Sequence, residues 1–324
     1  IKDSVTGDTL CSQDDPIVLE RMDFPEPVIS MSIEPKTADD KRKLSEALVT
    51  IRREDPSFRS HYDDETGQTI IAGMGELHLE IIKNKLLRDM KVGVEVGKPR
   101  VSYREAIQGS AQNVRGVFKK QTGGRGQFGD CTINLEPFTK EQAEEAGLDF
   151  TNSIAFENKV VGGSIPKEFI PSVEAGVRQT AVSGVSAPFP LINIKATLVD
   201  GSYHDVDSSQ VAFEQAGRLA LREAVAKARS VLLEPIMKVV VTTPEEYLGN
   251  ITGDISSRRG LISNTEDRGI VKIISSEIPL SELFGYTTTI RGLSQGRAAN
   301  SMEFLEYRPM PGNLQKEVLA GAAS

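Results

Sequence analysis

The sequence holds only two cysteines, Cys11 and Cys131, far apart and without metal-ligand or redox spacing. That excludes a thiolate metal centre or a dithiol pair and fits the reducing cytoplasm, with both thiols as ordinary fillers. No apolar run is long enough to span a bilayer and no signal-peptide pattern is present, so no membrane partner is expected. Nowhere does Gly-x-x-x-x-Gly-Lys-Ser/Thr occur, which excludes a P-loop for nucleotide phosphates. A Gly-x-Ser-x-Gly elbow is also missing. Histidine is scarce, with His61, His78 and His204 making three. His204 stands beside Asp205 and Asp207 but has no second histidine or thiol nearby to complete a zinc-like set. Metal: none and catalytic: none are therefore the expectations for this chain. The sequence opens on Ile1 rather than methionine, which we read as a sign of a fragment.

What is present fits a multidomain globular protein. A length of 324 residues, 39% apolar and 26% charged, exceeds one compact core and implies two or three domains. The acidic balance, net −8, argues against indiscriminate coating of nucleic acid and leaves room for a local basic site. Residues 1–24 are polar and turn-rich, like the trailing edge of a β-barrel domain. From 25 to 98 the pattern is βαββαβ. Its first helix carries the stripe Leu44, Ala47, Leu48 and Ile51, with Thr37 as the cap. Its last strand puts Val92, Val94 and Val96 on one face. The same order returns over 233–310, where 243–246 reads as a capping box with proline at the first helical position. A tail follows at 311–324.

Between them, 99–232 has a different grammar. Strands are expected at 113–120, 131–137, 149–156 and 191–199, with a polar surface excursion at 141–146. Helices are expected at 171–183 and at 208–230. The inward stripe of the longer one is Phe213, Ala216, Ala220 and Ala224, small enough for close packing on a sheet. The fold class is α+β: two split βαβ (ferredoxin-like) domains flanking a central α/β domain with an elongated loop tip.

Two stretches carry the candidate chemistry. In 121–130, Gly123, Gly124, Gly126 and Gly129 would let the backbone take positive φ and come close to another surface, with Arg125 and Gln127 between them as hydrogen-bond donors. Arg115, Lys119, Lys120 and Arg125 against Asp130 make this hairpin locally +3. It suits phosphates and exposed bases, but from this stretch alone an ordinary flexible hairpin turn is the better reading. The second stretch, 200–207, leaves a strand and enters the long helix, with Asp207 and Gln210 placed as a capping box. Its His204 could bond or stack on a ribose or base, and the helix N-terminus attracts phosphate. An exposed structural loop is the competing reading. Arg258, Arg259 and Arg268 form a basic edge in the last domain, where a helix C-terminus alone would explain cations. His61 is expected to face solvent and His78 to pack at a core edge.

The motifs Gln121-Thr-Gly-Gly-Arg-Gly-Gln-Phe-Gly129, Ile165-Pro-Lys-Glu-Phe-Ile-Pro171, Asp200-Gly-Ser-Tyr-His-Asp-Val-Asp-Ser208 and Leu233-Glu-Pro-Ile-Met237 occur in this order. So do Thr243-Pro-Glu-Glu-Tyr247, Arg258-Arg-Gly260 and Phe284-Gly-Tyr286. Together the chain resembles the C-terminal half of bacterial elongation factor G, over essentially its whole length. The resemblance implies a third domain at 25–98, a fourth at 99–232 and a fifth at 233–310. It also implies that the tip of the fourth enters the decoding centre of the small ribosomal subunit. Lys119, Lys120, Gly123, Gly124, Arg125, Gly126, Gln127, Ser202, His204 and Asp205 would then be the RNA-binding tip, and Arg258, Arg259 and Arg268 possible large-subunit RNA contacts. Implied partners are both ribosomal subunits, tRNA and mRNA, with the protein a cytoplasmic monomer. No cofactor is expected in this chain; GTP and magnesium are implied for a full-length parent, a ribosome-dependent GTPase. The segment 139–149 is slightly longer than the family pattern, which keeps a paralogue specialised in ribosome recycling in view. A ribosome-protection RNA-binding protein is the rival of another class. A hydrolase using His204 would need a nucleophile that the sequence does not supply.

Overall fold

A computed structural model of the chain describes residues 6, 8, 9, 11, 12, 14, 17, 19, 27, 29–64, 66–74, 76–99, 101–121 and 126–322. The expected barrel remnant at 1–24 lies largely outside these residues, as do Gly123, Gly124 and Arg125. The chain forms two compact units, one made of 1–102 with 235–306, the other of 103–234 with 307–324.

The first unit begins with β1 (Ile29–Pro35), α1 (Ala38–Glu54), β2 (Arg59–Asp63), β3 (Gln68–Gly73), α2 (Glu76–Arg88) and β4 (Val94–Gly97). The strands lie in the order β2-β3-β1-β4, antiparallel throughout. The Thr37 side chain caps α1 by accepting from the Asp40 N–H at 3.1 Å. Leu44, Ala47, Leu48 and Ile51 are all buried against Ile33 and Ile71, as the periodicity requires. His61 is exposed on β2. His78 does more than pack. Its Nδ1 accepts from the Met74 N–H at 3.0 Å, so Nε2 carries the proton and donates to Asp55 at 2.7 Å.

The second unit contains β5 (Arg104–Ile107), β6 (Ala111–Lys120), β7 (Gln127–Pro137), α3 (Lys140–Ala146), β8 (Ile154–Asn158), α4 (Ile170–Ser183), β9 (Ile194–Ser202) and α5 (Gln210–Ala228). Its sheet runs β6-β7-β9-β8, with β8 parallel to β9 and the other pairs antiparallel. The α5 stripe Phe213, Ala216, Ala220 and Ala224 is fully buried. The close approach depends on glycine. A Cβ at Gly116 would stand 2.2 Å from the Ala216 carbonyl, and one at Gly129 2.4 Å from that of Ala212. The polar excursion expected at 141–146 is instead α3, with a complete Thr139/Gln142 capping box and Ala143 buried beside Phe138 and Ala155. The strand expected from 149 starts only at Ile154, because Asp149 accepts from the Thr151 N–H and hydroxyl and closes a turn there.

The first unit resumes within β10 (Ser230–Pro244), followed by α6 (Leu248–Ser257), β11 (Leu261–Arg268), β12 (Val271–Pro279), α7 (Tyr286–Leu293) and β13 (Ala299–Pro309). The order β11-β12-β10-β13 repeats that of the first sheet. The capping box expected at 243–246 does not form. Thr243 stays in strand register opposite Lys272, fully buried, and α6 begins only at Leu248 after a 3-10 turn. Residues 312–322, expected as tail, form helix α8 (Gly312–Ala322) in the second unit. Among the described residues no helix is long and apolar enough to cross a membrane, and no cluster of His, Cys, Asp and Glu could hold a metal.

Candidate nucleic-acid interface

The site grows from strand register. β6 and β7 pair so that Lys119 faces Phe128 and Lys120 faces Gln127, the last rung before the glycine-rich turn. Lys119, Lys120 and Gln127 are exposed. On its other edge β7 pairs with β9, setting Asp130 opposite Ser202 and Cys131 opposite Gly201. Both stretches singled out in the sequence therefore leave the sheet at the same end.

Backbone bonds then join them. The Phe128 N–H donates to the Asp207 carbonyl at 2.8 Å, and the Gly126 N–H donates to Asp207 Oδ1 at 3.0 Å. The His204 N–H donates to Ser208 Oγ at 3.0 Å, and the Ser208 N–H returns a bond to the His204 carbonyl. The His204 ring meets the Phe128 ring edge-on, centroids 4.3 Å apart. Helix α5 is capped by Ser209, whose side chain accepts from the Ala212 N–H at 3.2 Å. The expected Asp207/Gln210 capping box is thus replaced, because the Asp207 carboxylate is already engaged by the hairpin.

One layer below, Asp130 is 3% exposed and accepts hydrogen bonds from Nε and Nη2 of Arg115 at 2.8 Å each and from the Ser202 hydroxyl at 2.6 Å. Burial alone would raise its pKa. The Arg115 guanidinium and the Ser202 hydroxyl outweigh that and hold its carboxyl below the usual carboxylate range. Ser202 and Arg115 therefore serve the base of the hairpin first. Asp205 and His204 are exposed on the second loop. Gly129 does not take positive φ. At Gly129 the α5 backbone requires glycine, and at Gly126 a Cβ would crowd the Asp207 carboxyl group.

The electrostatics also differ from a count over 115–130 alone. The second loop brings Asp200, Asp205 and Asp207 to the same end as Lys119 and Lys120. This end is therefore of mixed sign. Only pairing of the strands near 130 and 200 could have exposed this in the sequence.

The basic edge of the last domain is mostly committed internally. Arg258 pairs with Asp254 at 2.8 Å, donates to the Glu282 carbonyl and Thr289 Oγ1, and lies 4.9 Å over the Tyr286 ring. Arg259 pairs with Glu282 at 3.1 Å. Arg268, 72% exposed, only approaches Glu266 at 4.0 Å.

Two split βαβ folds, with a different sheet-and-helix unit between them in the sequence whose loops meet at one end, make a multidomain α+β protein. Three family models match in chain order: Elongation Factor G, domain III over 24–98; Elongation factor G, domain IV over 99–229; and Elongation factor G C-terminus over 231–318. The chain belongs to the elongation factor G family. It is also similar to a protein of Thermus thermophilus solved by crystallography, at 37% identity and a TM-score of 0.77. That match covers 93% of this chain and 44% of the other, so the chain spans less than half of its neighbour's length.

Proposed function

We propose that this chain is the ribosome-engaging, C-terminal part of a translocase of the elongation factor G type. The joined loops of the second unit contact tRNA and mRNA in the decoding centre. The observation that carries this reading is the single end formed by Gly126–Phe128 and His204–Ser208, with Gln127, His204, Lys119 and Lys120 exposed on it. Lysines there would meet backbone phosphates. The Gln127 amide and the His204 ring would supply directional bonds or stacking on bases and sugars. The work is to hold: RNA brought against this end is kept from slipping back, and no bond is made or broken by these residues. GTP and magnesium belong, in this reading, to a full-length parent. β6 and β7, which flank the glycine-rich sequence, are antiparallel partners, and that sequence carries no P-loop lysine.

Site-directed cross-linking tests the reading. Cys11 is exposed and Cys131 buried, so Cys11→Ser with Gln127→Cys leaves one reactive thiol at the tip. A short photo-reactive group there should cross-link to mRNA, tRNA or decoding-centre RNA on programmed bacterial ribosomes. Cross-links confined to the large subunit, or none above those from the exposed residue Gly253, would refute it.

A further inference from the structure

We infer that Asp207 is the positioning residue of this end: through its side chain and its carbonyl it fixes where Gln127 and His204 stand relative to each other. The inference rests on the proposed contact with RNA but begins from geometry alone. Gln127 is bracketed by two amides that both donate to Asp207, Gly126 to its Oδ1 at 3.0 Å and Phe128 to its carbonyl at 2.8 Å. A residue held on both flanks has a fixed backbone, which sets the point and direction from which its side chain departs. Phe128 then carries the constraint to His204 through the edge-on ring contact at 4.3 Å. The approach is tight: a Cβ at Gly126 would stand 3.1 to 3.2 Å from the three atoms of the Asp207 carboxyl group.

The charge of Asp207 sharpens the argument. An anion beside an RNA-binding surface repels phosphate, so charge alone would favour its removal. Its carboxylate instead accepts a backbone N–H, a charge-assisted bond stronger than its neutral counterpart. The two effects separate by substitution. Asp207→Asn keeps a carbonyl oxygen for the Gly126 N–H and removes the repulsion. Asp207→Ala removes both. A positioning role therefore predicts opposite outcomes for two variants that lose the same charge.

The experiment uses the whole chain and two readouts. Amide exchange by NMR, without RNA, should show the Gly126 N–H protected in the native chain and in Asp207→Asn, and exchanging about tenfold faster or more in Asp207→Ala. Affinity for programmed ribosomes should fall roughly tenfold in Asp207→Ala, comparable with losing one positioned base contact, and stay level or rise in Asp207→Asn. Unchanged Gly126 exchange in Asp207→Ala overturns the inference on structural grounds, whatever the ribosome data show. Equal tightening by both variants overturns it too, since charge alone would then be acting. If exchange behaves as expected but Gln127→Ala and His204→Ala bind ribosomes as the native chain does, the RNA reading of this end falls, and the inference with it.

Discussion

The pair Arg115–Asp130 gives an asymmetric prediction. Both partners contribute the same two bonds, yet Asp130 is 3% exposed while the Arg115 side chain is 63% exposed. Replacing Arg115 by Ala leaves the buried Asp130 carboxylate, among the described residues, with the Ser202 hydroxyl as its side-chain partner, which should cost about 1–3 kcal/mol for an under-satisfied buried acceptor. Replacing Asp130 by Asn strands a guanidinium that water already reaches, and should cost less. The double variant should resemble Asp130→Asn alone, so the coupling should be as large as the cost of Arg115→Ala. Hydrogen exchange of the most protected amides in β7 and β9 reads these differences within the unit that carries the pair. The pH dependence has a defined sign. The folded carboxyl titrates below its usual range, so its contribution is complete above the unfolded pKa of about 3.9 and fades as pH falls below that value towards the folded one. Asp130→Asn should lack that acid limb. If Asp130→Asn proves more damaging than Arg115→Ala, burial is not what sets the energetics of this pair.

Gly116→Ala should destabilise the second unit by about 3 kcal/mol or more, because the α5 backbone cannot yield to a Cβ 2.2 Å away. Gly253→Ala, in α6 with nothing within 4 Å, should stabilise by about 0.5–1 kcal/mol, and thermal unfolding of the two variants should move in opposite directions. Glu105 is fully buried and its carboxylate accepts from the Val185 and Ser186 N–H groups. Glu105→Gln turns one acceptor into a donor, so it should cost roughly 1–3 kcal/mol and speed exchange of those two amides. Replacing both Lys119 and Lys120 by Ala should lower the slope of log affinity for single-stranded RNA against log salt by about 0.7 per lysine, as measured by fluorescence anisotropy.

Sequence legibility follows from how local each cause is. The stripe Leu44, Ala47, Leu48, Ile51 and its Thr37 cap lie within one helix, so period and capping chemistry suffice to find α1. The two βαββαβ orders are legible for the same reason, each being a run of such local signals. The candidate site is different, because its decisive bonds join residues about 80 apart in sequence. Asp207, Ser208 and Ser209 are three consecutive residues, each a competent helix cap, and nothing local chooses among them. The choice is made from outside. The Gly126 N–H takes the Asp207 carboxylate, the His204 N–H takes the Ser208 hydroxyl, and Ser209 is left to cap α5. Gly129 could be taken for a flexible turn residue until the Ala212 carbonyl stands 2.4 Å from where its Cβ would be. Likewise Thr243-Pro-Glu-Glu has the composition of a capping box, but nine consecutive pairings with β12 keep Thr243 extended. Where local chemistry offers several equivalent answers, the long-range partner decides. At this end of the second unit that partner is Asp207, which the sequence offers as a helix cap and the fold uses to join two loops.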